Sequence, residues 1–288
     1  MLTTFLLLGF AICAAWLKPV PLTARFALHP WLLLFILSII SGVYANMLTG
    51  PALVALAIFT GLGYLTMWPG ARRAQRVLCG ALTAVTALAL AMHKLPGFNN
   101  PILIDGARFS ADAAVFRQYA NFDKGAAGLV LLALLCKRTQ SATELSAVLR
   151  RALPVAGMTI VLVMAVAVPI GYLKPDFKLP SYTPVFLLAN LFLTCVAEEA
   201  FFRGLLQERI ARLLRKLGWG ALAAMAFSAV LFGMAHLGGG MKLALLAALG
   251  GAGYAYAYQG SRKVEAAILA HFLLNAAHFI FFTYPSLQ

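Results

Sequence analysis

Charge is scarce in this sequence, and acidic charge is the scarcest. Only 11% of the 288 residues are charged, with 9 Asp and Glu against 23 Lys and Arg. A soluble domain carries about a quarter charged residues, whereas 62% of this chain is hydrophobic and its mean hydropathy is +0.87. The composition therefore excludes an ordinary soluble domain and predicts an all-α membrane protein.

Several familiar catalytic and binding patterns are missing as well. None of the four cysteines stands in a C-x-x-C pair, so we interpret them as small buried side chains. The zinc-protease motif H-E-x-x-H is absent, and no serine stands in a glycine-flanked nucleophile turn. The sequence has no internal repeat, which disfavours a transporter because many transporters are built from repeated halves.

Apolar runs approaching the length of a membrane span fill most of the chain. We predict a polytopic transmembrane helical bundle of about ten spans, at residues 2–17, 31–48, 52–68, 77–92, 125–136, 153–173, 183–206, 219–236, 241–259 and 264–282. Lys and Arg concentrate in alternate gaps between these runs, which is the pattern of membrane topology. The net charge of +14 is therefore explained by a lipid bilayer as the partner, with no nucleic acid.

We expect two parts along the chain. Residues 1–150 are predicted to form N-terminal membrane helices with an outer loop at 93–124, and residues 151–288 a C-terminal catalytic core. The loop has three interpretations, an ordered outer cap, a loop that contacts substrate and a plain connection, and we favour the plain connection. Residues 141–152 predict a separate interfacial amphipathic helix, capped by Ser141 with Glu144 three residues later.

One stretch, LFLTCVAEEAFFRGLLQERI at 191–210, carries adjacent carboxylates inside an apolar run. Ionisable side chains at membrane depth are expensive and usually mark function. On a helix Glu199 and Arg203 are i,i+4 neighbours and can pair. Arg203 then neutralises one carboxylate and leaves Glu198 for general-base work. A structural salt bridge is the alternative interpretation of the Glu199–Arg203 pair.

Three further polar side chains lie late in the chain. His236 ends an apolar run as F-x-x-x-H with Phe232, although a lone histidine at a span end is more often an interfacial residue. His271 and Asn275 stand at i,i+4 and project from one helix face, and we treat His278 as structural. Carboxylate, histidines and asparagine on three helices suit either a Glu/His-activated water or a mixed His/carboxylate metal site. Both alternatives lead to hydrolysis.

These motifs carry a resemblance to a known family. E-E-x-x-x-R, F-x-x-x-H and H-x-x-x-N occur in that order on successive membrane segments. Together they resemble the CPBP family, which includes the type II CAAX prenyl proteases and the bacteriocin-processing or abortive-infection proteins. The resemblance covers about residues 180–280, and every key position of the three motifs is present.

The resemblance implies an intramembrane endopeptidase with a role for each residue. Glu198 would activate water with help from His236, while His271 and Asn275 would stabilise the oxyanion. Glu199 and Arg203 would support Glu198. The cofactor stays open between none and a divalent metal such as zinc, whose ligands would be Glu198, His236 and His271.

The implied substrate is a membrane-embedded or membrane-associated peptide. The expected location is a multi-pass position in the membrane, with a bacterial cytoplasmic (inner) membrane as the favoured site. Two other functions stay open: a non-catalytic immunity or scaffold protein on the same fold, and a proton-coupled transporter. The transporter predicts polar residues in both halves of the chain, and the first half has few.

Overall fold

The computed structural model describes residues 1–23 and 27–288. The described chain forms ten main helices: α1 (Leu2–Ala14), α2 (Pro30–Tyr44), α3 (Gly50–Met67), α4 (Arg73–Ala91), α5 (Phe122–Leu135), α6 (Ala142–Ala167), α7 (Thr183–Leu213), α8 (Gly220–Ala235), α9 (Met241–Ser261) and α10 (Val264–Phe281). Two small sheets accompany them, β1 (Val20–Pro21) with β2 (Ala27–Leu28) and β3 (Ile102–Ala107) with β4 (Phe116–Tyr119). Each predicted span coincides with one helix, so the all-α prediction is confirmed.

Five of these helices are long and apolar enough to cross a membrane: α3, α4, α6, α7 and α10. α5 has 14 residues, about 21 Å at 1.5 Å per residue, which is shorter than a bilayer core of about 30 Å. α1, α2 and α8 are apolar but also short. The chain is an integral membrane protein, and the prediction of about ten spans is not confirmed.

The segment 141–152 is not a separate interfacial helix. It is the first half of α6, a continuous helix of 26 residues that passes through Pro154. The predicted cap is present, because the Ser141 hydroxyl accepts a hydrogen bond of 3.1 Å from the Glu144 amide. Proline removes one backbone donor and bends a helix without necessarily ending it, so a capped polar half and an apolar half form one element.

The segment 93–124 contains the sheet of β3 and β4, so the plain connection that we favoured is wrong for its central part. Ile104 of β3 is buried with Phe186 of α7 and Phe279 of α10, and Phe116 and Tyr284 pack beside them. The chain end continues this layer, since the Ala114 amide donates to the Ser286 carbonyl at 2.9 Å. Aromatic packing gives this segment an ordered structure.

The chain divides into two compact units. The first comprises Met1–Pro101, Tyr119–Cys136 and Phe192–Phe201, and the second comprises Ile102–Gln118, Lys137–Leu191 and Phe202–Gln288. Hydroxyl groups join helices in the first unit, as where Ser38 donates to the Thr4 carbonyl at 2.7 Å. Such bonds between membrane helices contribute about 1 kcal/mol. The predicted domain division at residue 150 stays a prediction.

In the second unit, small residues let helices approach closely. A Cβ at Gly233 of α8 would lie 2.6 Å from the Ala244 carbonyl oxygen of α9, and close contact at small residues is the usual way in which membrane helices pack. Thr139, just before α6, donates from its amide and hydroxyl to Glu265 of α10 at 2.6 and 2.8 Å. These contacts fix α8, α9 and α10 within the second unit.

Candidate active site

The helix that carries the paired carboxylates is irregular on both sides of them. α7 is π-helical at Asn190–Cys195 and again at Ala200–Gln207, and the four α-helical residues Val196–Glu199 lie between these segments. Wide π-turns inside α-helices occur frequently at functional sites. The local structure therefore singles out the same residues that the sequence did.

Glu198 forms an ion pair within the first unit. The Lys124 ammonium, at the start of α5, lies 2.6 Å from Glu198 Oε1, and the two side chains are 16% and 14% exposed. A lysine and a carboxylate this far from water stabilise each other's charged forms. Glu198 is thus held beside a cation within the first unit.

Glu199 is fully buried, with no exposed surface. Two residues before Glu199, Ala197 packs against Gly128 of α5. A Cβ at Gly128 would lie 2.8 Å from the Ala197 Cβ, so this position of α5 has no room for a side chain. α5 therefore packs directly on the α7 segment that carries both glutamates. The predicted pairing of Glu199 with Arg203 stays a prediction.

Arg203 belongs to the second unit and is completely buried there. Its Nη2 donates a hydrogen bond of 2.7 Å to the Gly251 carbonyl of α9. Its guanidinium carbon lies 4.8 Å from the Phe232 ring centroid and 5.3 Å from that of Tyr254. Aromatic faces attract a cation, and more strongly where water is excluded. The arginine is therefore fixed by the rings and backbone of neighbouring helices.

His236 has a defined tautomer. Its Nδ1 lies 2.7 Å from the Phe232 carbonyl oxygen, and because a carbonyl can only accept, Nδ1 must carry the proton that is donated. In the neutral ring, Nε2 then holds the lone pair. His236 can accept a proton or bind a metal through Nε2, so the structure gives the F-x-x-x-H spacing a physical role.

The Phe232 ring lies at the centre of an aromatic group in the second unit. Its centroid is 4.7 Å from that of His236 and 5.5 Å from that of His271. Tyr254 of α9 stacks on His271, with centroids 4.5 Å apart and planes 12° apart. His271 is 3% exposed. Both predicted histidines therefore pack on the same phenylalanine, and a tyrosine fixes the plane of one of them.

Asn275 has a partner on α7. Its Nδ2 donates to Asn190 Oδ1 at 3.2 Å. Phe186, one turn before Asn190, stacks on Phe279, one turn after Asn275, with centroids 3.9 Å apart. These two contacts hold α7 and α10 side by side in the second unit. An amide nitrogen has two N–H groups, so the bond to Asn190 is compatible with a second donated bond.

The cofactor stays open between none and a divalent metal. Within 1–23 and 27–288, no three His, Cys, Asp or Glu side chains come together in a way that could hold a metal ion.

Sequence reasoning missed four residues that hold the candidate site residues: Lys124, Asn190, Gly251 and Tyr254. Asn190 lies eight residues before Glu198 in the same apolar run, and a buried amide there was a usable signal. Gly251 and Tyr254 belong to the run GGAGYAYAY, which reads as an ordinary small-residue helix. No spacing rule connects Lys124 with Glu198.

One family model matches the chain. Residues 180–277 match the model described as type II CAAX prenyl endopeptidase Rce1-like. No curated protein and no solved structure matches the chain significantly. The matched range contains all six predicted site residues, and the predicted resemblance to CPBP and CAAX-type proteases is confirmed.

Proposed function

We propose that this chain, whose residues 180–277 belong to the CPBP family of CAAX-type proteases, is an active intramembrane endopeptidase. It hydrolyses a peptide bond of a membrane-embedded or membrane-associated protein or peptide. The observation that carries the proposal is that the matched range holds Glu198, Glu199, Arg203, His236, His271 and Asn275. These are the residue types that acyl hydrolysis needs: a base, its supports and hydrogen-bond donors.

In the proposed reaction, Glu198 and His236 activate water. The water proton passes to Glu198, with His236 assisting through Nε2, while the water oxygen bonds to the scissile carbonyl carbon. The carbonyl π electrons move to its oxygen and form an oxyanion. The proton is then delivered to the leaving nitrogen as the C–N bond breaks, so that a carboxylic acid and an amine are released.

His271 and Asn275 are the proposed donors to the oxyanion. Donors that are already held in place cost no reorganisation when charge develops, and each contributes about 3–4 kcal/mol in other hydrolases. Tyr254 stacks on His271, and Asn190 accepts from Asn275. The supporting roles of Glu199 and Arg203 follow from the family resemblance and from their complete burial.

The substrate class is a peptide anchored in or at the bilayer. A site on membrane helices meets substrates that share the bilayer with it, and we propose a bacterial cytoplasmic membrane as its location. The CAAX name belongs to the matched family. In a host without protein prenylation, the substrate would be a peptide held at the membrane by other means.

The proposal is tested with the full chain reconstituted in liposomes. Two quenched fluorescent peptides serve as probes, one ending in a farnesylated Cys-aliphatic-aliphatic-X sequence and one carrying an acyl anchor on the same residues. Hydrolysis in ¹⁸O-labelled water must place one label in the new carboxyl group, as mass spectrometry will detect. Glu144→Gln, a change on the exposed start of α6, is the control and should cleave like the wild type.

Three results would change the proposal. Cleavage that is lost with a chelator and restored by zinc would show that the reaction needs a metal, and Glu198, His236 and His271 would then be its proposed ligands. Cleavage unaffected by Glu198→Gln would remove the proposed base. A well-folded protein that cleaves neither probe would favour the scaffold function.

A further inference from the structure

The first unit supplies a cation to the carboxylate that we propose as the base. Lys124 Nζ lies 2.6 Å from Glu198 Oε1, and both side chains are largely buried. Lys124 lies outside the range 180–277 that matches the family model. The family match therefore assigns nothing to this residue.

Lys124 is held in place by its own surroundings. The preceding residue, Asp123, is 1% exposed, and its Oδ2 lies 2.7 Å from His93 Nδ1. Its Oδ1 accepts from the Asn100 amide nitrogen and from the Lys124 backbone amide, each at 2.9 Å. Asn100 in turn accepts from the Phe122 amide at 2.8 Å. Three of these contacts tie the first turn of α5 to the segment before it, and the fourth lies within that turn.

The packing of α5 on α7 fixes the distance between the two charges. A Cβ at Gly125 would lie 2.7 Å from Leu193, and one at Gly128 would lie 2.6 Å from the Ala197 Cα. Gly128 stands one turn after Lys124, so the lysine leaves α5 on the face that contacts α7. Because neither glycine can carry a side chain, the helices cannot separate or slide without losing this contact.

The carboxylate of the pair lies near the middle of α7. Glu198 lies midway along the 31-residue helix Thr183–Leu213, about 20 Å from either end at 1.5 Å per residue. An intramembrane lysine is normally paired, and Lys124 meets this requirement through the Glu198 carboxylate. A cation with three flexible donors can also follow small movements of the carboxylate during a reaction.

We propose that Lys124 is a positioning residue that fixes the Glu198 carboxylate for the activation of water. This inference rests on the proposed function, because it assigns Lys124 a task only if Glu198 is the base. The segment 93–124 and the start of α5 then belong to the working enzyme, although they lie outside the matched range.

The test compares three lysine variants in liposomes with the farnesylated probe peptide. Lys124→Met keeps the length of the side chain and removes its charge, whereas Lys124→Arg keeps the charge. Lys94→Met, an exposed position in the same unit, is the matched control. We expect Lys124→Met to lower kcat about 100-fold with little change in KM, since a misplaced catalytic group costs about that much. Lys124→Arg should recover most of kcat, and Lys94→Met should leave it unchanged.

Rescue by arginine separates positioning from folding, because both variants replace the same packed side chain. A kcat for Lys124→Met equal to that of the wild type would overturn the inference while leaving the proposed function intact. Equal losses of kcat in Lys124→Met and Lys124→Arg, with both proteins of normal thermal stability, would also overturn the inference. The proposed function itself fails instead if Glu198→Gln still cleaves the probe.

A second measurement needs no substrate. Dicyclohexylcarbodiimide adds to a buried carboxyl group as an O-acylisourea. An amine within direct reach, once it has lost its proton, attacks the carboxyl carbon and forms an amide as the C–O bond breaks and dicyclohexylurea leaves. We expect a Lys124–Glu198 cross-linked peptide in the mass spectrum of the wild type and none in that of Lys124→Arg. Modification of Glu198 by the reagent without any cross-link to Lys124 would contradict the ion pair on which the inference rests.

Discussion

Two glutamates of α7 are held by different kinds of partners. Glu208, in the second unit, is 3% exposed, and both of its oxygens are engaged. Oε1 contacts Lys137 Nζ and Arg212 Nε, each at 2.9 Å. Oε2 contacts Arg262 Nη2 at 2.7 Å and accepts from the Tyr258 hydroxyl at 2.9 Å. Glu198, in the first unit, is 14% exposed and is paired with Lys124 through Oε1.

The comparison separates a structural carboxylate from a candidate base. Glu208 joins four side chains from α7, α9 and the segments that follow α5 and α9, so taking up a proton there would break several contacts together. A base must instead exchange protons with water, which suits the greater exposure of Glu198. Burial in α7 is thus common to both residues, and the greater exposure of Glu198 distinguishes them.

The largest effect on stability is expected at Glu208. Glu208→Gln leaves three cations without their carboxylate, and breaking a buried ion pair costs about 3–5 kcal/mol. The half-exposed Lys137 and Arg212 can return to water, so we expect a loss of about 2–3 kcal/mol. Thermal unfolding in detergent measures this loss. A change at Glu208 that abolished cleavage without lowering stability would break the comparison.

A smaller loss is expected at Gly251, where Arg203 is held. A Cβ there would lie 3.2 Å from Arg203 Nη2 and 3.2 Å from Phe232, so Gly251→Ala should cost about 1–2 kcal/mol through overpacking. At Gly260, also on α9, a Cβ would have no neighbouring atom within 4 Å. Gly260→Ala should be neutral or stabilising by up to about 1 kcal/mol. Equal unfolding temperatures for the two variants would contradict this account of Arg203.

Two substitutions at Tyr254 are expected to change the cleavage rate. Tyr254→Phe keeps a ring stacked on His271, while Tyr254→Leu removes it. An aromatic pair contributes about 0.5–1.5 kcal/mol beyond its buried area, so cleavage by the leucine variant should be roughly 2- to 10-fold slower than by the phenylalanine variant. Initial rates in liposomes provide the measurement, and equal rates would remove Tyr254 from the positioning of His271.

The smallest effect concerns Asp176, which lies outside the membrane helices. A hydrogen bond from the Ser110 hydroxyl is the main cause that lowers the pKa of Asp176 below its ordinary value. A lowered folded-state pKa stabilises the protein above the unfolded-state pKa, and this contribution is lost as the pH falls through the folded-state value. Ser110→Ala should therefore cost less than about 1 kcal/mol at neutral pH, given the partial exposure of Asp176.

The Ser110→Ala difference should be smaller at pH 3 than at pH 7, because the contribution fades as the pH falls below the ordinary aspartate pKa toward the lowered folded-state value. Unfolding temperatures at pH 7 and pH 3 measure it. A difference that was the same at both values would show that Ser110 acts through packing and not through the charge of Asp176.

The sequence predicted the helices well because apolar runs and their polar breaks determine them directly. It predicted the candidate residues through three short spacings, each contained in one helix. It failed where the deciding contact is long-range. The predicted boundary between 141–152 and 153–173 lies inside α6, which is continuous through Pro154. The sheet of β3 and β4 had a usable signal in the short apolar run ILI at 102–104, which follows Pro101.

The residues that hold the candidate site were beyond prediction for the same physical reason. Lys124 is 74 positions from Glu198, and only the close approach of α5 and α7 at Gly128 brings the two together. Tyr254 occupies one of three similar tyrosine positions on α9, and only the packing of that helix decides which of them meets His271. Tertiary contacts, and not local pattern, select these residues.

The central claim is that Glu198 activates water for peptide hydrolysis. It is tested most directly by the initial cleavage rate of Glu198→Gln in liposomes, measured beside the wild type and Glu208→Gln at a temperature where all three are folded. Loss of a general base lowers a rate by about 10²–10⁴-fold, so we predict a fall of that size for Glu198→Gln and near wild-type cleavage for Glu208→Gln. Wild-type cleavage by Glu198→Gln would contradict the account.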